Sequence, residues 1–239
     1  MPHHSWIEAL RSYHYPVNLQ NFEDANNYHD WFNLNLSEGN REETMRFEER
    51  FRQYGRERIE VWYEVVFWKM YSQPHLRNHN THGIIANLHD ATATQLWENC
   101  QQYIQNSNWD TFDTFRQIFN LTTLAIATVA TFPAFMNPED YPMVDRQVAH
   151  WVHQHLDDHN VADPNGHQLV TPHHPNGGLT MADFDFYKSW ILWCRYTAHK
   201  LSNLTRMAWR ARDVEMAVFT AQRDDINLAP LPPFAAHGH

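Results

Sequence analysis

Between Arg116 and Glu139 the chain carries no charged residue, although it is otherwise polar and acidic. A run of this kind is stable only where something covers it, either the rest of the protein or lipid. Within it Leu121, Leu124, Ala125, Thr128, Val129 and Phe132 keep the period of one helix face. Small Ala125, Ala127 and Ala130 allow close helix packing. The spacing predicts a central helix over about 118–135, closed by Pro133 and Pro138. Asn120, Thr122, Thr123, Thr128, Thr131 and Pro133 make the run too polar for a membrane span of this marginal length, so no membrane is expected as a partner.

The 239 residues suffice for one domain with a sizeable core. Only seven glycines and few alternating Val/Thr runs argue against an all-β fold, in which turns demand more glycine. We therefore expect an all-α fold, a single helical domain over 1–228 with a loose tail from Ala229. A small hairpin or loop excursion is expected at 160–180. The formal charge of −10 offers no global attraction to nucleic acid, so DNA binding requires a local basic surface. Two cysteines, Cys100 and Cys194, are too few for a disulfide framework. With no secretion signal at the N-terminus, the default setting is reducing and cytoplasmic.

In chain order, Ser5-Trp6-Ile7-Glu8 reads as a capping box opening a short helix. Arg41–Tyr54 reads as a solvated helix with one apolar stripe, interrupted by Gly55. The helix from Ile59 to Met70 is apolar nearly all round and therefore buried, which makes Glu60 and Glu64 anomalies that need a salt bridge, an exposed strip or a purpose. Pro74 ends it. Arg77–His82 reads as a polar loop before a short helix over 84–88, and Thr92–Gln105 as the next helix. Tyr141-Pro142-Met143-Val144-Asp145 opens a helix over about 146–158. A loop over 159–181 follows, then helices over 182–224 opened by Thr180-Met181-Ala182-Asp183.

Leu124-Ala125-Ile126-Ala127-Thr128-Val129, followed after a loop by Tyr141-Pro142-Met143-Val144-Asp145-Arg146-Gln147-Val148, resembles the signature of the helix-hairpin-helix DNA glycosylase superfamily, in its adenine-excising and endonuclease III-like branches. Glu64-Val65-Val66-Phe67 is similar to the run that begins with the catalytic glutamate of the adenine-excising branch. The resemblance implies a monofunctional DNA glycosylase acting on double-stranded DNA without a cofactor. Glu64, its pKa raised by apolar surroundings, would protonate the leaving base. Asp145 would stabilise positive charge at the sugar C1′ or orient the attacking water. An aromatic such as Tyr63 or Trp68 would line the pocket for a flipped base. Two departures stand beside the match. The glycine-rich hairpin of the family would fall near Ile118–Thr122, where there is no glycine, and its lysine nucleophile near Thr123, where there is no lysine. A carboxylate at position 145 also serves as an ordinary helix N-cap.

If Phe186–Arg212 is one helix, Lys188, Arg195, His199, Arg206 and Arg210 recur at intervals of 7, 4, 7 and 4 and form a basic stripe. That stripe is either a DNA-binding surface or a solvated helix face. The alternative to an enzyme is a non-catalytic helical DNA-binding or scaffold protein derived from the same fold. A third reading is unrelated chemistry at the histidines. Of the eighteen histidines, His155 and His159 are four apart and able to share a helix face, but none forms a familiar metalloenzyme pattern, so no metal is expected.

Overall fold

The computed structural model describes residues 3–15, 17–18, 30–33, 37–73, 75–121, 125–159, 168–175 and 178–232. The chain is all-α: among the described residues its regular structure is helical apart from one two-residue antiparallel ladder. Its contacts group it into two compact units, His14–Asn137 and Met1–Tyr13 with Pro138–His239.

The unit His14–Asn137 begins with strands β1 (His14–Tyr15) and β2 (Gly39–Asn40). Helices α2 (Arg41–Tyr54), α3 (Ile59–Met70), α4 (Arg77–Asn87), α5 (Ala93–Asn106), α6 (Trp109–Ile118), α7 (Ala125–Val129) and α8 (Thr131–Met136) follow. Helix α2 starts at a capping box: the Asn40 side chain accepts from the Glu43 amide at 3.1 Å and the Glu43 carboxylate from the Asn40 amide at 2.9 Å. Asn40→Ala is expected to cost about 1 kcal/mol in urea unfolding. The helix stops at Gly55, whose carbonyl accepts from Trp62 Nε1 at 2.6 Å. A Cβ at Gly55 would stand 2.6 Å from the Phe51 carbonyl oxygen and 3.1 Å from the Trp97 ring, so only glycine fits this turn.

As its sequence requires, α3 is buried from Val61 to Met70 with only Tyr63 half-exposed. Helix α4 differs from expectation, because it begins at Arg77 and not at Ile84. Thr81, which is fully buried, is the polar member of the face it shares with Ile84, Ile85 and Leu88. Gly83 lies inside α4, exposed, and a Cβ there would meet nothing within 4 Å. Gly83→Ala is therefore expected to raise stability by about 0.4–1 kcal/mol, seen as a higher unfolding midpoint.

The uncharged segment also departs from the single helix expected over 118–135. Helix α6 ends at Ile118, and α7 and α8 meet at Ala130. Pro133 has no N–H to give the carbonyl of Val129, so the helix restarts with Pro133 in its first turn, where the missing donor costs nothing. The restart aims α8 into the core of this unit. Phe132 stacks on Trp62 (4.8 Å between centroids) and on Phe119 (4.9 Å). Phe135 meets Phe47, Phe51 and Trp68 edge-on.

The other unit contains α1 (His4–Arg11), α9 (Arg146–His159), a 3-10 turn at Met181–Asp183, α10 (Phe184–Thr205) and α11 (Ala211–Asp224). Helix α11 packs against α1, α9 and α10 and is buried along Ala211–Val218. Ser5 does not cap α1. Its hydroxyl instead accepts from the Ala229 amide at 3.0 Å, while Trp6 Nε1 donates to the Ala229 carbonyl at 2.9 Å. Residues 229–232 are thus anchored at Ala229 rather than loose, and the rest of the expected tail lies outside the described residues. Among the described residues of 168–180 there is a loop and no strand. Buried Asp183 holds that loop, accepting from the amides of His173 and Thr180 at 2.8 Å each.

Candidate functional site

Asp145 stands at the end of a short loop, 137–145, that crosses the unit Met1–Tyr13 with Pro138–His239. Tyr141, Pro142, Met143 and Val144 are all buried, so their backbone polar groups need partners inside the protein. Helix α10 supplies several. Trp190 Nε1 donates to the Met143 carbonyl at 2.8 Å and the Tyr187 hydroxyl to the Pro142 carbonyl at 3.5 Å. Arg195 Nε donates to the Asp140 carbonyl at 2.8 Å, with its guanidinium 4.9 Å from the centre of the Tyr141 ring. The start of α11 holds the other end: the amides of Ala211 and Arg212 donate to the carbonyls of Glu139 and Pro138 at 2.9 and 3.1 Å.

This clamping fixes Asp145 as the N-cap of α9. Its carbonyl accepts from the Ala149 amide at 2.9 Å, and its Oδ1 from the Val148 amide at 3.0 Å. The side chain is half-exposed, and among the described residues nothing bonds to its second oxygen. A carboxylate so held is anchored by one oxygen at the N-terminus of a helix and, among the described residues, open at the other.

Glu64 is placed differently. It lies in the unit His14–Asn137, and both its oxygens accept from Arg50, from Nε and Nη2 at 2.9 Å each. The apolar surroundings expected for it hold a cation, the Arg50 guanidinium, which engages both carboxylate oxygens. Trp68 does not line an accessible pocket: it is fully buried, stacked on Tyr15 at 4.1 Å. Tyr63, on the same helix, is half-buried.

The basic stripe is shorter than its spacing predicts. Helix α10 ends at Thr205, where Arg206 takes a left-handed conformation (φ 59°), and α11 begins only at Ala211, so Phe186–Arg212 is not one helix. Lys188, Arg195 and His199 remain on one face of α10, with Lys188 3.9 Å from Asp185. Arg206 lies beyond the break, exposed. Arg210 is buried, and its guanidinium and backbone amide all donate to the Asp213 carboxylate at 2.9–3.1 Å. A second pair, Arg212 with Glu215, is completely enclosed in the same helix. Opposite charges three residues apart in Arg210-Ala211-Arg212-Asp213-Val214-Glu215 were the signal for both pairs.

A small cavity in this unit is lined by Trp6, Trp193, His159 and Lys200. Burial pushes the pKa of His159 down to about 4, the nearby His155 adding to the shift while the Leu228 carbonyl and Asp158 oppose it. His159 Nε2 donates to the Leu228 carbonyl at 3.1 Å, and the ring meets Trp151 at 4.9 Å. Burial also lowers the pKa of Lys200. His155 and His159 do share a face, with ring centres 6.2 Å apart. Among the described residues no group of three His, Cys, Asp or Glu is arranged to hold a metal ion, and no helix is long and apolar enough to cross a membrane.

No protein-family model, no curated protein and no solved structure matches this chain.

Proposed function

We propose that the protein is a DNA-glycosylase-like enzyme in which Asp145 is the reactive carboxylate, hydrolysing the N-glycosidic bond of a damaged or mismatched base in double-stranded DNA. The observation that carries this reading is the half-open carboxylate of Asp145, anchored through Oδ1 to the Val148 amide on a clamped loop. A positive charge developing at C1′ would be stabilised by an anion already held in position, with no reorganisation at the moment of reaction. Lys188 and Arg195, which face Asp185 and Asp140, and the exposed His199 beside them would supply the donors for the DNA backbone. Glu64 has no part in this form of the mechanism.

A second reading, a non-catalytic helical DNA-binding or scaffold protein, draws support from the pairing of Glu64 with Arg50 and of Arg210 with Asp213. It leaves no general acid and fewer cations.

The two readings separate in one experiment. Asparagine caps helices as well as aspartate does, so Asp145→Asn removes the charge while sparing the fold. Incubated with duplexes bearing damaged or mismatched bases, the wild type is expected to release a base and Asp145→Asn to be slower by on the order of a hundredfold or more. Equal release by both sinks the role of Asp145. Salt-dependent duplex binding by both, without release by either, selects the second reading.

A further inference from the structure

The unit His14–Asn137 contains a cavity of about 270 Å³ that the reading of Asp145 does not use. Its floor is apolar, with buried Met70 and Ile84 beside buried Thr128. Its rim carries three side-chain carboxamides, Gln73, Asn80 and Asn87. No Asp, Glu, Lys or Arg lines it, in a chain where 19% of residues are charged. Apart from His79, nothing in the lining could offer a phosphate or carboxylate ligand a counter-charge for the hydration it would lose.

The carboxamides are ordered by bonds that use only part of their capacity. Asn80 Nδ2 donates to Gln73 Oε1 at 2.7 Å, which leaves Asn80 Oδ1 as an acceptor and Gln73 Nε2 as a donor. Asn87 Nδ2 donates to the Phe119 carbonyl at 2.8 Å and keeps Oδ1 as a second acceptor. An acceptor beside a donor matches an edge that offers N–H next to C=O. Gly83 also lines this cavity, inside a helix, although no packing contact requires a glycine there. A methyl group at this position would meet nothing within 4 Å, whereas a large side chain there would occupy the cavity.

We propose that this cavity is a binding site for a small uncharged molecule with a lactam or primary carboxamide edge, held by Gln73, Asn80 and Asn87 over the Met70 and Ile84 floor. The site lies within one unit and is independent of the role of Asp145.

Nicotinamide and uracil are suitable probes, with nicotinate as the charged isostere, followed by saturation-transfer NMR and calorimetric titration on the full chain. Nicotinamide or uracil is expected to bind at least about tenfold more tightly than nicotinate. Gly83→Phe, which fills the cavity, is expected to weaken that binding by about tenfold or more, and Gly83→Ala to keep it. Gln73→Met, in the turn between α3 and α4, removes the donor at similar side-chain size and is expected to weaken binding even if Gly83→Phe fails to fold. Absence of binding by both neutral probes in the millimolar range overturns the proposal. So does binding that Gly83→Phe, once shown to be folded, or Gln73→Met leaves unchanged.

Discussion

Glu215→Gln is expected to cost the protein about 3–5 kcal/mol of folding stability, because it takes a counter-charge away from the enclosed Arg212 cation. Arg212 is fully buried and Glu215 1% exposed, one helical turn apart on α11, the helix that packs against α1, α9 and α10. Water cannot reach either group to replace the other. The double variant Arg212→Met with Glu215→Leu removes both charges while keeping apolar volume, and is expected to recover most of the loss or exceed the wild type. Urea unfolding of the three proteins checks this. A midpoint for Glu215→Gln equal to that of the wild type would mean that Arg212 does not depend on Glu215.

Acidification is expected to weaken the fold through His159 by about 3 kcal/mol between pH 6.5 and pH 4. The sign follows from burial. The folded pKa, about 4, lies below the unfolded value of 6.5, so the unfolded chain takes up the proton first as the pH falls. The contribution is complete above pH 6.5 and declines as the pH drops toward 4. Charging the ring would place a cation beside Lys200 and His155, inside a wall of Trp6, Trp151 and Trp193, with Asp158 as the opposing charge. Carboxylates begin to titrate near the lower end of this range, so the comparison that isolates the ring is His159→Phe. That variant loses the bond to the Leu228 carbonyl and starts less stable at pH 7, but its stability should fall less steeply below pH 6.5. Parallel curves for the two proteins would rule out His159 as the source of the acid sensitivity.

Both predictions rest on features that a sequence reading assigns only in part. Asp145 was legible as a helix cap because an N-cap is a local matter, decided by the four residues from Asp145 to Val148. Asp183 at the head of α10 was legible for the same reason. The open second oxygen of Asp145 was not, since it depends on how α10 and α11 clamp the loop before it. Glu64 shows the opposite case. Its place in an apolar helix was correctly read, but its partner Arg50 lies 14 residues earlier on another helix, and pairing across helices leaves no local period. Asn80 lies where polar composition suggested a loop, so the cavity it lines depends on a helix that begins at Arg77 rather than at Ile84.

The sequence by itself determined that this is an all-α protein and where most of its helices run. Hydrophobic period, caps and breakers act within a few residues of backbone, so they are written in the chain directly. Tertiary structure alone decided which charges are solvated and which are enclosed: the spacing of Arg210 and Asp213 is local, but their burial is not. It also decided that the uncharged run between Arg116 and Glu139 is not one helix but a succession of short ones, the last of which drives Phe132 and Phe135 into a core of aromatic rings. Burial is the reason for both: whether a residue meets water depends on elements far away in the chain, and no local pattern carries that information.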